Sequence, residues 1–265
     1  MSRVIRRAVD QETSVAANRR WWDDEAAAYQ AEHGAFLGDA DLVYGPEGWR
    51  EADLHLLGPV RGVVALEIGC GAAQGSRWLA RAGARVVATD LSRGMLLTGQ
   101  AIGENPPMAQ CDGAALPFAD ASFDLVVTAY GVMPFVADSA GVMREVARVL
   151  RPGGRFVFST THPMRWAFPD DPGPLGLVAS SSYFDRTPYV EEDDGGEVSY
   201  VEHHRTMGDR VREIVAAGLV LLDVVEPEWP SWNDQVWGGW SPQRGALIPG
   251  TAIFVSQRPG GPETA

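Results

Sequence analysis

The chain is predicted to fold as an α/β protein around a largely parallel sheet, and three observations predict it. From residue 63 onward, short apolar, β-branched runs alternate with stretches of helical periodicity, the pattern of successive βαβ units. A tight glycine turn, Gly69-Cys70-Gly71, follows the first apolar run and opens the first helix. Asp90 ends the second run, nineteen residues past Gly71. Strand, loop, helix, strand and acid in that order are what a nucleotide-binding half-fold requires.

The elements follow in order. Arg3, Arg6 and Arg7 read as a short solvated tail. Residues 18–32 space Trp21, Trp22, Ala26 and Tyr29 at helical intervals, with Gly34 ending the helix. A strand at 63–68, a helix at 75–81, a strand at 86–89 and a helix capped by Ser92 come next. The rhythm continues with a weak strand at 108–111, a strong one at 123–128, a helix at 139–150 and a strand at 155–159. Between these last two, Arg151-Pro152-Gly153-Gly154 stops the helix.

Residues 163–205 break the rhythm with five prolines and an acidic, glycine-bearing run, and read as an inserted cap. A helix at 207–217 closed by Gly218 and strands at 219–225 and 251–256 restore order, the two strands pairing antiparallel. The loop between them holds Trp229, Trp232, Trp237 and Trp240, too aromatic for a disordered connection. The division expected is an N-terminal helical cap segment at 1–55, a core at 56–162 and 206–258, and a substrate cap insert at 163–205.

Composition narrows the partners. A length of 265 residues with 45% hydrophobic composition supports one sizeable core with a cap. A formal net charge of −13 works against neutralising phosphates, so a small-molecule partner is expected and no nucleic acid. No run approaches the roughly 18 apolar residues of a membrane span, and the start lacks a secretory core, so a cytoplasmic protein with no membrane partner is expected. Cys70 and Cys111 are expected to be reduced, and no Cys/His spacing suggests a metal. The sequence leaves the oligomeric state unknown.

The glycine loop fits two cofactor classes, nicotinamide dinucleotides and S-adenosylmethionine. The dinucleotide fingerprint needs a small residue three places after its second glycine, and Gln74 stands there. Glu67, just before the loop, suits a cationic amino group and would repel a pyrophosphate.

The segments ALEIGCGAAQGSRWLA, VVATDLSRGML, CDGAALPFADASFDLVV and LRPGGRFVFST, within roughly residues 60–160, resemble successive motifs of the class I methyltransferases, in particular the ubiquinone/menaquinone-biosynthesis-like branch. The resemblance implies a Rossmann-like, seven-stranded mixed sheet flanked by helices, and S-adenosylmethionine as cofactor. It places Gly69, Cys70 and Gly71 at the methionine end, Asp90 on the ribose, Leu91 and Met95 against the adenine, and Asp112 and Gly113 near the adenine amino group. Tyr130 follows the fourth strand, and Tyr29 on the leading helix covers the cofactor. Two positions depart from the pattern: Ala73 replaces a usual glycine, and Ala114 replaces an acid often found after Asp112.

Methyl transfer asks the protein for proximity and a dry pocket, and for a base only when the nucleophile must lose a proton. His162, three residues past the strand at 155–159, is the candidate base, with a turn residue before Pro163 as the alternative. His203 and His204, pointing opposite ways, are weaker candidates. The expectation is a methyltransferase acting on a small, apolar or aromatic acceptor beneath an aromatic cap formed by 163–205 and 226–250. The alternatives are an NAD-dependent oxidoreductase and an inactive S-adenosylmethionine-binding protein.

Overall fold

The computed structural model describes residues 3–260 and reproduces the predicted alternation. Strand β1 (Arg3–Arg6) precedes a 27-residue helix, α1 (Gln11–Leu37). A single turn, α2 (Glu51–Leu54), leads into β2 (Val64–Ile68), α3 (Gln74–Arg81), β3 (Arg85–Asp90), α4 (Arg93–Ile102) and β4 (Met108–Gln110). Then come β5 (Phe123–Thr128), α5 (Ser139–Val149) and β6 (Leu150–Thr161). Past two short 3-10 turns lie β7 (Tyr189–Glu192) and β8 (Val198–Glu202). The remaining elements are α6 (Met207–Ala216), β9 (Val220–Val225), α7 (Pro242–Gly245) and β10 (Thr251–Gln257).

Seven strands form one mixed sheet in the order β4-β3-β2-β5-β6-β10-β9. The first five are parallel, and β10 lies antiparallel between β6 and β9, as the two final strands were expected to pair. Central strands are buried on both faces, which is why they read as unbroken apolar runs. Leu66, Val126 and Phe156 pack beneath Val142 and Val146 of α5 and Ile214 of α6 on one face. On the other, Ala65, Val127 and Val157 meet Leu79 of α3 together with Leu42, Tyr44 and Leu57. Strand order reverses beside β2, so the crevice of an open α/β sheet falls at the carboxyl end of β2, where the glycine loop stands.

Three expectations about the start of the chain are corrected. Arg3, Arg6 and Arg7 are no solvated tail: β1 pairs antiparallel with β7, Arg3 opposite Glu192, and Arg7 pairs with Glu192 at 3.3 Å. Residues 42–57 belong to the core and not to a cap ending at 55. Tyr44 is fully buried and donates to Glu51 Oε2 at 2.6 Å, while Glu51 Oε1 accepts the Leu57 N–H at 2.9 Å. Finally, α1 is longer than 18–32. Asp10 caps it by accepting the Thr13 N–H at 2.8 Å, Gly34 lies inside it, and the chain turns off at Gly38, whose φ is +71°. A glycine inside a helix costs only about 1 kcal/mol against alanine, whereas the positive φ at Gly38 is what ends it.

The cap is therefore composite. β1, β7 and β8 form a three-stranded sheet made from the start of the chain and the 163–205 insert. Helix α1 lies against it, and Asn18 acts as an extra peptide group on β8, accepting from Val201 N–H at 2.9 Å and donating to Val201 O at 3.0 Å. Among the described residues, no helix is long and apolar enough to cross a membrane, no His/Cys/Asp/Glu group could hold a metal ion, and both cysteines are free.

Candidate active site

The loop after β2 adopts three left-handed residues, Gly69 (φ +66°), Gly71 (φ +54°) and Ala73 (φ +63°). Alanine is strained there, and its methyl group is fully buried with Cys70, Ala88 and Leu96, a contact that glycine would forfeit. The loop is held by the acid that the sequence singles out. Asp90 Oδ2 accepts the Gly71 N–H and Oδ1 accepts the Ser92 N–H, both at 2.8 Å. One carboxylate thus ties the glycine loop to the start of α4. Each of its oxygens can accept further hydrogen bonds from the cavity side.

A cavity of about 620 Å³ opens at this edge. All eleven residues expected at the cofactor lie on its wall, including Leu91, Met95 and Cys70 beside the loop and Tyr130 past β5. Tyr130 is itself held at φ +63° by its N–H donating to Ser159 Oγ at 2.7 Å. Asp112 Oδ1 accepts the Ala114 N–H at 2.9 Å, so the backbone of Ala114, not an acidic side chain, shapes that turn. At Gly113 a Cβ would lie 3.0 Å from Ile68 Cγ2, so the backbone there packs closely against β2.

Helix α1 closes the cavity by touching the loops after four strands. Gln74 Nε2 donates to Gln30 Oε1 at 3.0 Å, after β2. Asp23 Oδ1 accepts from Ser92 Oγ at 2.7 Å and from Gly94 N–H at 2.8 Å, after β3. Gln11 Nε2 donates to Asp112 Oδ2 at 3.2 Å, after β4, and Asn18 Nδ2 to Phe135 O at 2.9 Å, after β5. A Cβ at Gly94 would stand 2.5 Å from the Asp23 carbonyl oxygen, so the helix approaches this closely only because residue 94 is glycine.

The predicted base is not brought to the cavity. His162 is buried at the head of a 3-10 turn, its Nδ1 accepting the Met164 N–H at 3.1 Å and its Nε2 bonded to Glu226 Oε1 at 2.7 Å. It does not line the wall. His203 bonds Ser14 Oγ at 2.9 Å and His204 bonds Tyr183 O at 2.7 Å, pointing apart as expected and engaged elsewhere. The imidazole on the wall is His33 of α1, which sequence reading missed. It stacks in parallel on Trp237 with ring centres 4.2 Å apart and meets Tyr29 edge-on at 4.6 Å. Burial holds its pKa below the usual histidine value, opposed by Glu32.

The aromatic wall is real but differently sourced. Trp22, Tyr29, Phe135, Tyr200, Trp237 and Trp240 line the cavity. Trp166, Phe168, Tyr183, Phe184 and Tyr189 of the insert do not; Phe184 is 71% exposed, and Trp166 is buried beneath Arg6 and Arg165. Trp229 donates to Asn233 O, and Trp232 packs against Trp49.

Acids dominate the cofactor end. Burial pushes Glu67 up to about 7, against the hydrogen bond from Ser76. Burial likewise pushes Asp90 up to about 6, against the Ser92 and Gly71 N–H groups. Among the described residues on the wall, Arg165 is the one Arg or Lys, and it stands away from the loop, beyond β6. A pyrophosphate would face Glu67, Asp90 and Asp112 with no cation beside it. A ligand carrying hydroxyl donors and a positive charge matches the same set, so these residues fit S-adenosylmethionine and not a dinucleotide.

Residues 66–158 match the methyltransferase domain family. A demethylmenaquinone methyltransferase from Corynebacterium kroppenstedtii is 35% identical over 53% of this chain, which spans 59% of that relative's length. A second, from Corynebacterium efficiens, is 43% identical over 42% of this chain and about half (49%) of its own. Among solved structures, an S-adenosylmethionine-dependent methyltransferase from Mesorhizobium loti superposes with a TM-score of 0.62 at 28% identity, covering 77% of this chain and 95% of that one. A 1,6-didemethyltoxoflavin N1-methyltransferase from Burkholderia thailandensis, solved with S-adenosylhomocysteine, shares the fold over 98% of this chain and 96% of its own, with a TM-score of 0.60 at 16% identity. Fold and glycine loop together are similar to those of S-adenosylmethionine-dependent methyltransferases, and the segment that matches resembles the corresponding part of the demethylmenaquinone methyltransferases.

Proposed function

We propose that the protein transfers a methyl group from S-adenosylmethionine to a small acceptor with an aromatic or apolar body. The observation that carries this is one cavity joining the Asp90-anchored glycine loop to a wall of eight aromatic side chains. Glu67, Gly69, Cys70 and Gly71 would hold the methionine end, Asp90 the ribose, Leu91, Met95, Asp112 and Gly113 the adenine, with Tyr130 and Tyr29 above. The cofactor supplies an electrophilic methyl on a sulfonium centre. The chain's part is to align the acceptor and exclude water, and aromatic faces suit both an apolar acceptor and a nearby cation. For an acceptor that must lose a proton, His33 is the imidazole at hand, kept neutral at physiological pH. A His33→Gln variant is then expected to lose the acid limb of the pH–rate profile below about pH 6.5, while His162→Gln keeps it.

Calorimetric titration with S-adenosylmethionine and, separately, NAD tests the cofactor. Release of S-adenosylhomocysteine with an acceptor tests turnover. Binding of NAD in preference, or of neither, would overturn the reading.

The acids give a pH dependence whose sign is fixed. Both carboxyls have folded pKa values above their ordinary ones, so the unliganded fold favours their protonated forms. That preference costs nothing below the unfolded values and destabilises increasingly as pH rises through about 6 to about 7. Ligand hydroxyls and a ligand cation prefer the ionised forms. S-adenosylmethionine affinity is therefore expected to rise between about pH 5.5 and 7.5 and then level off, while the melting temperature of the free protein falls. A flat affinity profile across that window would count against contact with either acid.

A further inference from the structure

Resting on the methyltransferase reading, we propose that Arg165 is the acceptor-recognising residue and that the acceptor presents an anionic oxygen group, a carboxylate or an ionised enol or phenol, beside its aromatic body. Arg165 follows β6 at the carboxyl edge of the sheet and is the single cationic side chain on the described cavity wall. Its side chain is 18% exposed, so it is largely shielded from bulk water yet open to the cavity.

What holds it leaves its donors available. Asp170 lies 3.3 Å and Glu202 3.5 Å from its guanidinium, and the plane rests 5.0 Å from the Trp166 ring centre. Among the described residues its side chain makes ion pairs but no hydrogen bond to a protein acceptor. Neither carboxylate belongs to Arg165 alone. Asp170 is shared with the buried Arg244, 3.9 Å away, and Glu202 accepts the Tyr200 hydroxyl at 2.6 Å. The charges of these two guanidinium groups and two carboxylates cancel, so what Arg165 offers an acceptor oxygen is the set of N–H donors that no described protein acceptor takes up. Of the other acids on the wall, Asp41 pairs with Arg50 at 3.3 Å, and Glu32 is 76% exposed.

Position points the same way. Arg165 is within electrostatic reach of Tyr130, and both line the same cavity, as does Thr161 at the end of β6. Tyr130 stands between Arg165 and the glycine loop, next to Gly131, which packs against the Gly69 carbonyl of that loop. A planar guanidinium fork matches two oxygens of a carboxylate or a hydroxy-ketone better than a point charge does.

The test uses full-length protein saturated with S-adenosylhomocysteine and matched probes followed by calorimetry. The anionic probes are 1-naphthoate and 2-hydroxy-1,4-naphthoquinone. The neutral partners are 1-naphthamide and the methyl ether of the quinone, and 1-naphthylmethylamine is the cation. At least one anion is expected to bind about tenfold or more tightly than its neutral partner, the scale of one charge-assisted contact, and which anion does so separates carboxylate from enolate. Arg165→Gln should erase that preference and Arg165→Lys retain part of it, with S-adenosylhomocysteine affinity unchanged in both. Equal or weak binding of all probes to the unaltered protein, tighter binding of the cation, or a preference that survives Arg165→Gln would overturn the proposal. The wild-type probe series decides even if a variant fails to fold. Failure to bind S-adenosylhomocysteine at all would instead defeat the methyltransferase reading.

Discussion

Valine at Gly69 is expected to remove S-adenosylmethionine binding or most of the protein's stability margin. Gly69 has φ +66°, and a Cβ built there would stand 2.5 Å from Val132 Cγ2. The left-handed backbone costs a side-chain-bearing residue about 1–2 kcal/mol, and forcing atoms into a packed site a further 1–3 or so. A branched residue is worse placed than alanine on both counts. If the loop yields, affinity falls by roughly 30-fold or more, since about 1.4 kcal/mol is tenfold. If it holds, the melting temperature falls instead. Melting curves and calorimetric titration on the same preparation capture both routes, and a variant that melts and binds like the parent would show that the loop is not the cofactor site. Gly71→Ala is the milder comparison, because a Cβ there meets only Met95 Cε, at 3.2 Å.

Asp90→Ala is expected to weaken S-adenosylmethionine binding by about 1.5 to 3 kcal/mol, or roughly 10- to 150-fold, the range for losing hydrogen bonds to a charged group. The loss has two sources. Ribose hydroxyls lose their acceptor, and the Gly71 and Ser92 N–H groups lose theirs, so the loop and the start of α4 are no longer tied together. Asp90→Asn is expected to recover little, because one amide nitrogen would turn a donor toward a backbone N–H. Unchanged affinity in calorimetry would sink the ribose assignment.

The core was legible because its signals are local. A doubly buried strand such as β5 announces itself as an unbroken apolar run, and the turn–acid pairing of Gly71 and Asp90 spans only nineteen residues. The cap was not legible, because each part makes sense only beside a distant partner. The sequence RVIR carries two arginines in four residues and becomes a strand through pairing with residues 189–192. Arg165 and His33 lie in no motif, and what distinguishes them is the cavity they face. His162 stood at the expected edge of the sheet, yet Glu226, some sixty residues on, claims its outer nitrogen. The aromatic count foretold an aromatic wall without saying which rings would form it, since rings that pin loops and rings that face a cavity are identical in composition.

The pairing of Arg3 with Glu192 also sets an order of events during synthesis. A ribosome releases the chain from its first residue, at about 5–20 residues per second, so β1 and α1 emerge roughly ten seconds or more before β7 and β8 exist. In that interval the apolar face of α1, with Ala17 and its two tryptophans, has no β8 to lie on, and the sheet that α1 will cover is still assembling. The core strands β2 to β6 lie close in sequence and can collect first, since loop closure is cheapest for near neighbours. Helix α1 already has the loops after β2 to β5 to dock on, but β1 has to wait for residues 189–192, so the first strand of the chain pairs only after most of the core strands have been made.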